Sequence, residues 1–310
     1  IFSNDIFSFF RVKNMTELFS IWNKKINLDI TFYHDGFLYR YITDLNPDNN
    51  AVNKAILFEN EKLYRRNYYK SYCNCLFDYD KYEEVKTKLD LPDDTSILYE
   101  VLKKIEIRGI YFDSKDNSYK DYSDIFDLYK AISNNYKIIS SILKMFDEHL
   151  ENIEMINEDK YKIYYTNKDV KEVNDKELYQ ILSSGTTKGF GLFSFVVYSL
   201  FYGSDLVVDE IENHFHKTLV ENLVNLYKDK SVNKKKASLI FTTHYCELLD
   251  LFNRTDNIYI TKYDNQIRLE NVYRNYNFRP ELSKSKKFYS NAFDTGVNYE
   301  SLMNFKKELM

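Results

Sequence analysis

Apolar and polar residues alternate over 26–33 (INLDITFY) and again over 37–43 (FLYRYIT), with the turn HDG between them. A period of two in β-branched and aromatic residues, broken by a glycine turn, predicts a β-hairpin. Residues 55–63 (AILFENEKL) read as a further strand or turn. The period then changes. Over 122–156 apolar residues fall at helical spacing, with Ile125, Leu128 and Ile132 followed by Ile138, Ile142 and Met145, so 80–160 reads as mostly helical. From 161 onward strands and helices alternate. YKIYYT is a strand and 186–202 a strongly apolar helix. Residues 205–209 form a short buried strand, and 211–228 an amphipathic helix with Ile211, Phe215, Leu219 and Leu223 on one stripe. Residues 237–242 form another buried strand, and 245–253 a short helix. Continuously apolar strands separated by helices predict an α/β fold with a parallel sheet covered on both faces.

The chain has 310 residues, enough for a large core and more than one structural unit. A formal net charge of −4 gives no argument for wholesale nucleic-acid binding, so any basic surface must be local. The many Tyr and Phe residues fit an AT-rich coding sequence better than an aromatic platform for nucleic acid. Three cysteines (Cys73, Cys75, Cys246) are too few for a disulfide framework and point to a reducing compartment. No run is apolar enough to span a membrane and no secretory signal is visible, so the expected location is the cytoplasm.

Candidate chemistry sits at three places. Four of the seven glycines fall between 185 and 203. In LSSGTTKGFGLF, Ser183, Ser184, Gly185 and Thr186 immediately precede the apolar helix, where backbone N–H groups and the helix dipole favour an anion. A plain Ser/Thr N-cap explains the same residues. At 206–210, LVVDE ends a buried strand in two carboxylates. A strand tip is where α/β sheets open their ligand crevice. Asp209 there could hold Mg²⁺ through water, and Glu210 could polarise an attacking water. The plainer account is that Glu210 and Glu212 favour the start of the next helix. The third place is SLIFTTHYCELL, a strand ending in Thr242, Thr243 and His244. That imidazole could contact a γ-phosphate, or be an ordinary surface histidine.

The order of these segments resembles the C-terminal half of an ABC-type ATPase domain, as in the SMC, recombination-mediator, old-family and abortive-infection ATPases. LSSGT (182–186) is similar to the signature motif, LVVDE (206–210) to Walker B with its catalytic Glu, IENHFH (211–216) to the D-loop, and TTH (242–244) to the switch histidine. The tail from Asp256 to Gly296 resembles AAA-type ATPases of phage-defence loci, the PARIS ATPases among them. The resemblance covers 180–296 well and 26–66 loosely.

It implies an ABC-ATPase head with an N-terminal antiparallel β portion and a mostly helical insertion. Residues 1–75 would be a β-rich remnant of the N-terminal lobe, 76–160 the insertion and 161–310 the C-terminal lobe. It further implies ATP and Mg²⁺ as cofactors, with two heads sandwiching the nucleotide in a homo-oligomer. Asp209 would support Mg²⁺, Glu210 would activate water and His244 would contact the γ-phosphate. Ser183, Ser184, Gly185 and Thr186 would grip the partner's ATP, with Asn213 and His216 at the dimer seam. A toxin or nuclease effector is the implied partner. Nucleic acid is left open without support, and no membrane is implied.

No G-x-x-x-x-G-K-[ST] occurs in these residues, and neither Gln180 nor Gln266 sits where a Q-loop is expected. Because the chain begins at Ile1, the expectation is that a strand, a phosphate loop and a first helix precede it. Without them this chain should bind ATP poorly and not turn it over. Two other functions stay open: a non-hydrolysing scaffold, and a metal-dependent nuclease using Asp209, Glu210 and His244. His214 and His216, two apart on a helix, would point to opposite sides and could not share a metal. Lys234–Lys236 reads as a solvated turn, and YRRNYYKSY (64–72) as a surface strand rather than a single-strand binder.

Overall fold

A computed structural model describes residues 25–34, 36–47, 56–69, 78–86, 91–92, 96–98, 109–113, 125–126, 136–157, 159–213, 215–264, 266–276, 282–296 and 299–309. The chain divides into two units, 1–111 with 204–206, and 112–203 with 207–310.

The first unit holds an antiparallel sheet of order β1–β2–β3–β4, made by β1 (Ile26–His34), β2 (Phe37–Pro47), β3 (Ile56–Asn67) and β4 (Glu83–Glu84). The predicted hairpin is present, with His34 paired to Phe37 and Gly36 at φ 84 in the turn. Period-two burial puts Tyr39, Tyr41 and Leu63 into one cluster with Leu98. Tyr41 brings a polar tip into that cluster. Its hydroxyl donates to Glu61, which also accepts from Ser96 Oγ at 2.7 Å and from the Ile97 amide. Burial, followed by the Glu61 carboxylate, pushes the Tyr41 hydroxyl well above the usual phenol range.

The second unit is mixed α/β. Helix α1 (Tyr136–Phe146) buries Ile139, Ile142 and Leu143. The helical reading of 122–156 is thus right for α1 but shifted on its face, since Met145 is 47% exposed. It fails at 150–157, where LENIEMIN is a strand; Leu128 and Ile132 lie outside the described residues. Leu150 and Ile153 are buried on this strand at a helix-like spacing of three, which also arises when a bulge interrupts a period of two. The register slips between Leu150 and Asn152. Strands β6 (Leu150–Asn157), β7 (Lys160–Tyr165) and β8 (Val170–Asn174) form an antiparallel sheet, with β5 (Gly109–Asp113) preceding them in the chain.

Two helices follow end to end. Asn174 caps α2 (Asp175–Ile181) in a capping box: the Glu177 amide donates to Asn174 Oδ1 at 3.0 Å and the Asn174 amide to Glu177 Oε2 at 2.9 Å. One residue beyond α2's C-cap at Leu182, Ser183 caps α3 (Ser184–Tyr202). The helix α3 is buried without interruption from Thr186 to Ser194, a stretch that takes Thr186, Thr187, Lys188 and Ser194 into the interior along with its apolar residues. It ends on Gly203 in the left-handed region at φ 75, where a side chain would meet Lys235 at 2.9 Å.

Two glycines within α3 separate sterics from propensity. A Cβ on Gly189 would lie 2.1 Å from the Phe146 ring, which is itself packed on Phe193 and Phe215. A Cβ on Gly191 would meet Phe112 at 3.7 Å, an ordinary contact. Alanine in a helix gains about 0.8–1 kcal/mol over glycine, and overpacking costs about 1–3 kcal/mol. Gly191→Ala is therefore expected to hold or raise the urea midpoint, and Gly189→Ala to lower it. Equal midpoints for the two variants would contradict the packing of α3 on α1.

After α3 come β9 (Asp205–Asp209), α4 (Lys217–Lys228) and β10 (Leu239–Phe241), and a three-stranded sheet has the order β10–β9–β5. Three expectations are corrected here. The second strand is short and only partly covered, since Ile240 is 59% exposed on a strand at the end of its sheet. The helix after β9 begins at Lys217, not 211. Ile211 and Phe215 are buried from a turn, which satisfies the same i, i+4 apolar spacing without a helix. A short 3₁₀ helix (Cys246–Leu251) replaces the helix expected at 245–253. The hairpin β11 (Tyr259–Asp264) and β12 (Gln266–Asn271) then packs Ile260 against Ile258, Val272 and Phe293.

Candidate functional site

Strand β9 carries Leu206 and Val208 buried and delivers Asp209 and Glu210 at its C-terminal end. Alternation explains the first part: period-two burial leaves Val207 and Asp209 half-covered. Glu210 then leaves the strand in the left-handed region, at φ 48. Holding a non-glycine residue there costs about 1–2 kcal/mol. Such strain persists where surrounding bonds over-determine it.

Those bonds come from Thr242, just past β10. Its amide donates to Val208 O at 3.0 Å, and its carbonyl accepts from the Ile211 amide at 3.0 Å. Its hydroxyl donates to Asp209 Oδ1 at 2.5 Å and accepts from the Glu210 amide at 2.7 Å. One side chain thus orients both carboxylate-bearing residues. Two residues on, the His244 amide donates to Glu212 Oε1 at 2.5 Å. The His244 ring is 85% exposed, and its Nε2 stands 3.8 Å from Glu210 Oε1. The adjacent Asp209 and Glu210 are therefore brought beside His244, distant in sequence, where β9 and β10 end.

The remaining candidates are held locally. Ser183 Oγ accepts from the Thr186 amide at 3.0 Å and lies 2.8 Å from Thr186 Oγ1, so it is an N-cap for α3. Ser184, Gly185 and Thr186 lie inside the first turn of that helix rather than before it. The bonds of Ser183 and Thr186 close within this turn and do not reach Asp209. Asn213 stands in the turn after β9, its amide donating to Glu210 O at 2.9 Å. His216 is the N-cap of α4, with Nδ1 accepting from the Thr218 amide at 3.3 Å. The reason given for rejecting a His214–His216 metal pair falls, because α4 does not reach His216; His214 lies outside the described residues.

Thr242 and Glu212 are the site residues that sequence reasoning missed as participants. Thr242 was visible as a polar residue closing an apolar strand. Glu212 lay within the D-loop-like IENHFH segment, but was otherwise read only as an acid near an expected helix start. As for Mg²⁺, the donor set at the β9 end consists of carboxylate and hydroxyl oxygens, which suits a hard divalent cation. Among the described residues Asp209 Oδ2 has no hydrogen bond, so one carboxylate oxygen is oriented and the other is available. The residues fit the ion. No helix among the described residues is long and apolar enough to cross a membrane.

The mixed α/β arrangement of sheets and helices is compatible with the fold of AAA and ABC nucleotide-binding ATPases. The family described as "AAA domain, putative AbiEii toxin, Type IV TA system" matches residues 23–250, and the chain belongs to it. AAA ATPases generally use ATP and Mg²⁺, and the family's description carries an abortive-infection context. No curated protein matches the chain.

Proposed function

We propose that the full-length protein is an ABC-type ATP-hydrolysing subunit that acts as a nucleotide-driven switch in an anti-phage defence system, resembling the PARIS ATPases. On this reading 161–310 is the C-terminal lobe of a head built on a parallel sheet, 1–75 belongs to its N-terminal lobe, and 76–160 is an insertion that signals to a toxin or nuclease effector. The protein would work in the cytoplasm as a head-to-head dimer.

The observation that carries this reading is the Thr242 link, which turns Glu210 out of β9 and leaves its carboxylate 3.8 Å from the His244 imidazole. Mg²⁺-bound ATP would supply the phosphoanhydride bond and the electrophilic phosphorus. Asp209 would hold the ion through water, with Thr242 fixing the rotamer of its carboxylate. Glu210 would take the proton of the attacking water, a role needing an ionised carboxylate with solvent access. His244 would donate an N–H to the terminal phosphate, which its exposure permits. The N-terminal turn of α3, with Ser183 to Thr186, would face the nucleotide of the second head, where backbone N–H groups suit an anion. Asn213 and His216 would lie at that seam. Closing two heads on ATP would favour one conformation of the insertion, and hydrolysis would release it.

The test is ATP hydrolysis and ATP-dependent self-association of the full-length protein, with and without chelation of Mg²⁺. Phosphate release that depends on Mg²⁺, together with dimers that form on ATP, is the expected result. Purified protein that neither releases phosphate nor changes its association state with ATP would overturn the proposal and favour a scaffold.

A further inference from the structure

We infer that Glu212 is a positioning residue that sets the place of His244 through the main chain. The inference rests on the role given to His244 above. Glu212 is not a helix-start acid, because α4 begins five residues later with His216 as its cap, so the helix dipole cannot account for it. Its two oxygens instead behave differently. Oε1 accepts the His244 amide at 2.5 Å, a short charge-assisted bond. Oε2 is buried and has no hydrogen-bond partner among the described residues. A carboxylate that keeps one oxygen unsatisfied in order to bind a single amide needs a reason for being there.

The surroundings supply one. The His244 ring is 85% exposed, so its position against Glu210 depends on how the main chain is anchored. The Glu212 bond anchors residue 244 itself, two residues beyond the Thr242 bonds. It joins the turn after β9, which carries Glu210, to the residues after β10, which carry His244. A shift of Glu212 is therefore passed to the main chain of His244.

The experiment compares Glu212→Ala, Glu212→Asp and Glu212→Gln, alone and combined with His244→Ala, in the full-length protein. Loss of a hydrogen bond to a charged group should lower kcat about 10–100-fold in the Ala variant. The Asp variant, whose shorter arm withdraws the acceptor but keeps the charge, should lose a similar amount. Gln keeps an oxygen for the amide and should restore most of the rate. With His244→Ala already present, Glu212→Ala should cost nothing more, because both changes remove one function.

A second measurement does not depend on turnover. Hydrogen exchange at the His244 amide should accelerate in the Ala and Asp variants and not in Gln. If the two kcat losses multiply, or if His244 exchange is unchanged in Glu212→Ala and Glu212→Asp, the inference is overturned. If His244→Ala and Glu210→Gln both keep full activity, the ATPase reading of the site fails instead, and amide exchange alone decides for Glu212.

Discussion

Glu210→Gln in the full-length protein is expected to lower ATP hydrolysis by about 10²–10⁴-fold while leaving ATP-driven self-association in place. The substitution is close to isosteric. It leaves the backbone bonds untouched, since the Glu210 amide still donates to Thr242 Oγ1 and its carbonyl still accepts from Asn213. The strained turn at φ 48 is therefore kept. What disappears is the group that can take a proton. The remaining amide can still hydrogen-bond a water but cannot receive its proton, so binding should survive and turnover should not. Single-turnover phosphate release and sedimentation with ATP read the two halves separately. A variant that hydrolyses ATP at the wild-type rate would remove Glu210 from the chemistry.

The second large effect is on stability. Phe190→Ala should cost about 3–5 kcal/mol, read as a lower urea midpoint with an unchanged slope. Phe190 is fully buried on α3, 5.9 Å from the Phe126 ring, which lies 5.6 Å from the equally buried Tyr161 on β7. Removing the α3 end of this row leaves a void beside the Phe126 ring. Residues 186–194 of the helix are all buried, so this stretch has little freedom to collapse into the gap. The same helix carries Ser183 to Thr186 at its N-terminus, and a loosened α3 should also weaken ATP-dependent self-association. A loss below about 1 kcal/mol would mean that the row is not packed as described.

How much was readable before folding differs from element to element. The β1–β2 hairpin was legible because period-two alternation and a glycine turn are local properties. So was α3, where an apolar run of helical length follows a Ser/Thr start. LVVDE and TTH were legible as strand ends, because an apolar run closing in polar residues marks the place where a strand leaves the core. The strand at 150–157 was not legible, since a bulged strand and a helix can bury the same two residues. Nor was the start of α4. The turn from Glu210 to Phe215 buries Ile211 and Phe215 at helical spacing without forming a helix.

The amino-acid order alone determined which chemical groups end up at strand and helix ends: Asp209 and Glu210 after one apolar run, His244 after another, and Ser183 before a third. Local alternation and capping preferences suffice for that, as they act within a few residues. Only the tertiary structure decided how those ends are tied together. Thr242 reaches Asp209 and Glu210 across 33 and 32 residues, and Glu212 reaches His244 across 32. A hydrogen bond over such a separation depends on two strand ends being brought side by side, and no local pattern records which hydroxyl or carboxylate will find which amide.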